Sequence, residues 1–130
     1  MRLFYLISFC LVVLCACQPP IKSADTTRLL FSKPGVSLHV SPARLTVETP
    51  ITFTLNGADI KSVQAELTGV NMYMGRVPVK FSQTAGSEWQ AVFLLGACSE
   101  PDMKWQLVLQ LTDITGNKRQ LSEILQVYWQ

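Results

Sequence analysis

The side chains with the most distinctive chemistry in this chain are four sulfur-bearing residues, Met72, Met74, Cys98 and Met103. In Asn71-Met72-Tyr73-Met74-Gly75-Arg76 the two thioethers stand two positions apart, so an extended backbone would turn both toward one face. Gly96-Ala97-Cys98-Ser99-Glu100-Pro101-Asp102 has the composition of a turn, which places the thiol in a loop between strands rather than in a sealed core. Thiolate and thioether donors select Cu(I) over hard cations, so the chemistry on offer is soft-metal binding. The same residues also suit plain packing. Met103 shares a face with Trp105 and Leu107 and reads first as core, and Met72 and Met74 could be gap-fillers. His39, the one histidine of the chain, falls opposite the apolar face of Leu38 and Val40, is expected to be exposed, and is left out of the site.

Bringing sulfurs more than 20 positions apart into one cluster requires a fold that returns both loops to the same end. The hydrophobic period of the chain is two, the signature of half-buried strands. Met103, Trp105, Leu107, Leu109 and Leu111 alternate with Lys104, Gln106, Val108 and Gln110. Trp89 to Leu95, Val77 to Phe81, Ile51 to Leu55 and Val63 to Leu67 behave in the same way, with Asn56-Gly57-Ala58-Asp59 as a turn. Val36 to Val40 and Leu121 to Trp129 complete seven short strands in about 95 residues, which predicts an all-β, immunoglobulin-like sandwich. Lys118 to Val127 also admits a helix, because Leu121, Ile124 and Leu125 have helical spacing. If the seven strands run A to G, the Met72 segment is the C–D connection and the Cys98 segment the E–F connection. Strands C and E end at the same pole of such a sandwich, so the two segments should meet there.

The first 17 residues, MRLFYLISFCLVVLCAC, carry one early positive charge, an apolar run and a small residue before a cysteine. That is the layout of an export signal, too short to span a bilayer. Leu14-Cys15-Ala16-Cys17 resembles the lipobox of bacterial lipoproteins, with cleavage after Ala16 and lipid on Cys17. Cleavage at a nearby site as an ordinary secretory signal is the alternative. Gln18, rather than Asp, follows the modified position, and by the same resemblance this implies an outer-membrane anchor facing the periplasm. The expected organisation is a cleaved signal over 1–16, a lipidated tether over 17–35 rich in Pro, Ser and Thr from which Leu29-Leu30-Phe31 can dock on the domain, and one domain over 36–130. Cys10 and Cys15 leave with the signal and Cys17 carries lipid, so Cys98 is the one thiol of the mature domain. In an oxidising compartment such a thiol is buried and inert, pairs with a partner, or binds a soft metal.

The order of strand, Met-x-Met-Gly, strand, Gly-x-x-Trp-x-Ala strand, loop and Met-Lys-Trp strand resembles the YtkA-like and FixH-like domains, small exported immunoglobulin-like modules. The resemblance spans roughly Leu55 to Leu111 and rests on Met72, Met74, Gly75, Trp89, Met103 and Trp105. It implies association with copper proteins or with oxidase assembly, through Met72, Met74 and Met103. The chain departs from that pattern in carrying Cys98 and in lacking a histidine beside Met-x-Met. Loss of Arg2 with the signal leaves ten basic and nine acidic residues scattered in both signs, which gives no nucleic-acid footprint. With one histidine, no CxxC, no phosphate-binding loop and no nucleophile beside an obvious base, no enzyme is expected. Two functions remain: Cu(I) handling at one pole of a membrane-anchored sandwich, or a non-metal structural or interaction module of the envelope using Tyr73, Tyr128 and Trp129.

Overall fold

A computed structural model describes residues 27–129. Among them ten strands form: β1 (Arg28–Lys33), β2 (Val36–Ser41), β3 (Leu45–Thr46), β4 (Ile51–Asn56), β5 (Ile60–Gly69), β6 (Arg76–Val79), β7 (Ser82–Ala85), β8 (Glu88–Phe93), β9 (Asp102–Asp113) and β10 (Lys118–Tyr128). They lie in two five-stranded sheets, ordered β1-β2-β4-β8-β7 and β3-β10-β9-β5-β6. Taking β2, β4, β7 and β8 as strands A, B, D and E, and β5, β9 and β10 as C, F and G, these orders are A-B-E-D and G-F-C, the immunoglobulin arrangement. The alternating pattern governs which side chains enter the core. Met103, Trp105, Leu107, Leu109 and Leu111 of β9 are all buried, and so are Ile51, Phe53 and Leu55 of β4. Phe53 sits between the rings of Phe93 and Phe81, at centroid distances of 4.8 and 6.3 Å. Among the described residues no polar or charged residue is buried.

All seven expected strands form, and three more join them. β3 is a two-residue parallel pair with the end of β10, reached through a cis Ser41–Pro42 bond. β7 is polar and wholly exposed, so it carries no hydrophobic alternation to be read. The third addition is the form in which Leu29-Leu30-Phe31 dock on the domain. Residues 28–33 fall within the expected tether, yet β1 pairs antiparallel with β2 through the Pro34-Gly35 turn and buries Phe31. Its irregular register, with a bulge between Leu29 and Phe31, breaks the period of two that would have announced it. Residues 17–26 of the expected tether, the signal and Cys17 lie outside the described residues. The helical alternative for 118–127 is replaced by a strand that pairs with β9 from Lys118–Thr112 to Tyr128–Asp102. Leu125 and Val127 are buried two positions apart while Ile124 is exposed, so cross-strand burial decides against helical spacing.

Two poles follow from the pairing. One carries the 34–35, 57–59, 86–87 and 114–117 turns, tied by Gly57 N–H to Ser87 O and Ile114 N–H to Asp59 O. The other carries the 70–75 and 94–101 loops, the end of β10 and the beginning of β1. It is tied by Glu48 N–H to Leu95 O and Val47 N–H to Tyr128 O. Among the described residues no helix is long and apolar enough to cross a membrane.

Candidate functional site

Cys98 and Met72 meet at this second pole, with Sγ 2.7 Å from Sδ. The two sulfurs belong to half-buried side chains 26 positions apart and stand closer than an ordinary sulfur–sulfur contact. The loop carrying Met72 is not the C–D connection expected. It is the hairpin between β5 and β6, both in the second sheet, after which the chain crosses at Lys80-Phe81 to β7. The Cys98 loop is the E–F connection, as expected, leading from β8 to β9. Both begin at strands that end at the same pole, so the convergence holds although β6 lies in the same sheet as β5 rather than in the facing one.

Backbone contacts fix Met72 in place. Asn71 uses both ends of its amide, Nδ2 donating to Asp102 O at 3.0 Å and Oδ1 accepting from Lys104 N–H at 2.9 Å. Val70 N–H donates to Lys104 O at 2.8 Å, which continues the β5–β9 ladder one step into the loop. At Gly69 a Cβ would lie 2.0 Å from Met72 O and 2.8 Å from Met103 Cε, so glycine lets the turn fold back on itself. Gly75 closes the turn in the left-handed region at φ 72°. On the other side, Trp129 Nε1 donates to Glu100 O at 3.2 Å and ties the chain after β10 to the Cys98 loop.

The four sulfur residues thus separate. Cys98 and Met72 are in contact. Met103 lies beneath the Met72 turn, 2% exposed, and belongs to the core floor of the site. Met74 turns outward at 37% exposure, because the backbone from 73 to 75 is not the extended strand that would align it with Met72. His39 is half-buried rather than exposed, on the outer face of β2 between Leu29 and Thr54. Tyr128, expected to be exposed, is half-buried under the Arg44 guanidinium, which sits 4.9 Å from its ring centroid. Asn71, Gly69 and Glu100 do not stand out from sequence. An Asn in a turn is a recognised partner for nearby backbone groups, and that is the available signal for Asn71.

Among the described residues no three of His, Cys, Asp and Glu gather as a metal-binding group, and the soft-donor contact at this pole is that of Cys98 with Met72. Two sulfurs holding an ion at about 2.3 Å each stand about 3.8 Å apart at a tetrahedral angle and about 4.6 Å apart in the linear arrangement of two-coordinate Cu(I). The pair would open by about 1–2 Å to admit it. Cys98 lies in a segment without regular structure and Met72 has three rotatable side-chain bonds, so both can move that far. A groove of about 350 Å³ at the opposite pole, between Pro34, Asp59, Leu111 and Arg119, holds no soft donor. Compared with protein-family models, curated proteins and solved structures, the chain matches none.

Proposed function

We propose that this chain is a lipid-anchored envelope protein whose sandwich binds Cu(I) through Cys98 and Met72, as a binding rather than a catalytic part. One observation carries the metal reading: a thiol and a thioether from loops 26 positions apart are brought into direct contact. Soft donors of this kind suit Cu(I), and the oxidising compartment implied by the amino-terminal sequence is where an unpaired thiol gains such a role. Met72 and Cys98 are the ligands. Met103 supports the loop from below, and Met74 is free to act as an outer contact when the ion is passed to or from a copper-handling or oxidase-assembly partner.

The test is a Cu(I) titration of the protein against a chromophoric chelator, in parent, Cys98→Ser, Met72→Leu and Met74→Leu forms. Losses in the first two variants, with Met74→Leu unchanged, support the assignment. Equal affinity in parent and Cys98→Ser removes it. The anchor is tested separately by the mass of the amino-terminal peptide and by fatty-acid labelling of parent and Cys17→Ala proteins.

A further inference from the structure

The pole that holds the sulfur pair also gathers exposed apolar side chains. Of the nine large hydrophobic residues exposed among the described residues, five lie in its loops: Val70, Tyr73, Met74, Leu94 and Trp129. Tyr73 is 91% exposed and Trp129 48%. A concentration of this kind at one end of a small domain marks a contact surface rather than scattered surface apolarity. Tyrosine and tryptophan are the residues that settle at a membrane–water interface, where an apolar ring and a polar tip are both accommodated.

The position of β1 says which surface is nearest. Arg28 is paired with Val40, close to the end of β2, so the chain enters the domain at this same pole. Between Cys17 and Arg28 lie at most about 36–40 Å of extended chain. β9, with twelve residues, spans about 40 Å from pole to pole. With its entry point at the near pole, the domain presents that pole to the bilayer with length to spare. To present the far pole, the tether would be consumed in running the length of the sandwich.

We infer that this pole is a membrane-contact surface, Tyr73, Leu94 and Trp129 resting in the headgroup region while lipid on Cys17 holds the domain down. The inference rests on the lipid-anchor reading of the proposed function. Its rim carries both signs of charge, with Arg28, Arg44 and Lys104 against Glu48, Glu100 and Asp102, so the attraction is interfacial and not electrostatic. The sulfur pair then opens at the membrane surface, where a membrane-embedded partner could exchange the ion.

The experiment uses the full chain purified from membranes and reconstituted in phosphatidylcholine vesicles, some containing acyl-brominated phosphatidylcholine. The mass of the amino-terminal peptide is read first. An acylated protein whose tryptophan emission is quenched by the brominated lipid is the expected result. The quenching is insensitive to salt, disappears in Trp129→Phe, and is reduced in Tyr73→Ser, whose exposed side chain can be changed without touching the core. Acylated protein without quenching overturns the contact surface and leaves the anchor standing. The same result, with a cross-link from position 73 to an envelope protein, assigns the pole to a protein instead. An unacylated amino terminus overturns the anchor and this inference together.

Discussion

Asn71 is the residue on which the geometry of the sulfur pair depends, and Asn71→Ala tests it. The substitution deletes two hydrogen bonds that clasp the Met72 loop to β9, one to Asp102 O and one from Lys104 N–H. Hydrogen bonds of this kind contribute about 0.5–1.5 kcal/mol each, and both lie at an exposed residue, so the loss should be about 1–2 kcal/mol. For a domain of this size that is a fall in Tm of roughly 5–12 °C. Asn71→Asp separates the two bonds. A carboxylate still accepts from Lys104 N–H, but it turns an oxygen toward Asp102 O where the amide had donated, so it should destabilise at least as much as alanine. Amide exchange at Lys104 should accelerate in Asn71→Ala and remain protected in Asn71→Asp. Cu(I) affinity should fall with the loosened loop, by no more than about tenfold for each 1.4 kcal/mol of clasp energy lost. Thermal melts of both variants within about 2 °C of the parent, with unchanged exchange at Lys104, would refute the clasp.

Other expectations follow from neighbouring contacts. Met103→Leu should cost under about 1.5 kcal/mol and leave Cu(I) affinity unchanged, whereas Met103→Ala should cost about 2–5 kcal/mol by denaturant titration. Weaker Cu(I) binding by Met103→Leu would make Met103 a ligand after all. Gly69→Ala should lower stability by about 1–3 kcal/mol and displace the Met72 turn, seen as shifted amide resonances for residues 70–75, because the added Cβ meets Met72 O. At the 113–117 turn, the Asp113 carboxylate accepts from Thr115 Oγ1 at 2.6 Å and from the Thr115 and Asn117 amides. These bonds, the Thr115 hydroxyl first, hold its pKa below the ordinary 3.8. Its contribution is complete above that ordinary value and lost as pH falls through the lowered one, so an NMR titration should place the midpoint below 3.8 and Asp113→Asn should flatten stability there. Trp89 Nε1 is buried without a partner, so Trp89→Phe should change stability by less than about 1 kcal/mol, far below the usual cost of cutting back a buried aromatic.

How plainly a strand is written in its residues depends on how it is buried. β2, β4, β8 and β9 pack one face on the core and leave the other wet, so their alternation names them. β7 is exposed throughout and polar except for Ala85, β3 is two residues long and β1 slips register at a bulge, and none of these offers a period to detect. The stretch from Val77 to Phe81 alternates without a break, yet the strand ends at Val79, and Phe81 packs against the core from the crossover that leads to the other sheet. The convergence of Met72 and Cys98 is legible in the sequence because it needs only the direction in which two strands end. The exclusion of Met74 is not, since it depends on the backbone of 73–75, which Asn71, Gly69 and Gly75 set locally.

The sheet edges bear on where this molecule meets anything else. β6 is short and carries Pro78, which has no N–H to offer an incoming strand. β7 is polar and bulged, and β1 is bulged and ends in Arg28 and Lys33. Each is a feature that discourages edge-to-edge pairing. The outer edge of β10 is covered by β3 only at Val127 and Tyr128. Along the rest, Lys118, Arg119 and Glu123 supply charge, and β1 stands alongside across a groove lined by residues 30–33 and 120–123. A strand added there would have to displace β1 or desolvate those charges. The loops of the sulfur-bearing pole face neither obstacle: they expose apolar and aromatic side chains and present no ladder to complete. The membrane contact inferred for this pole would therefore rest on surface area and ring placement and not on strand addition.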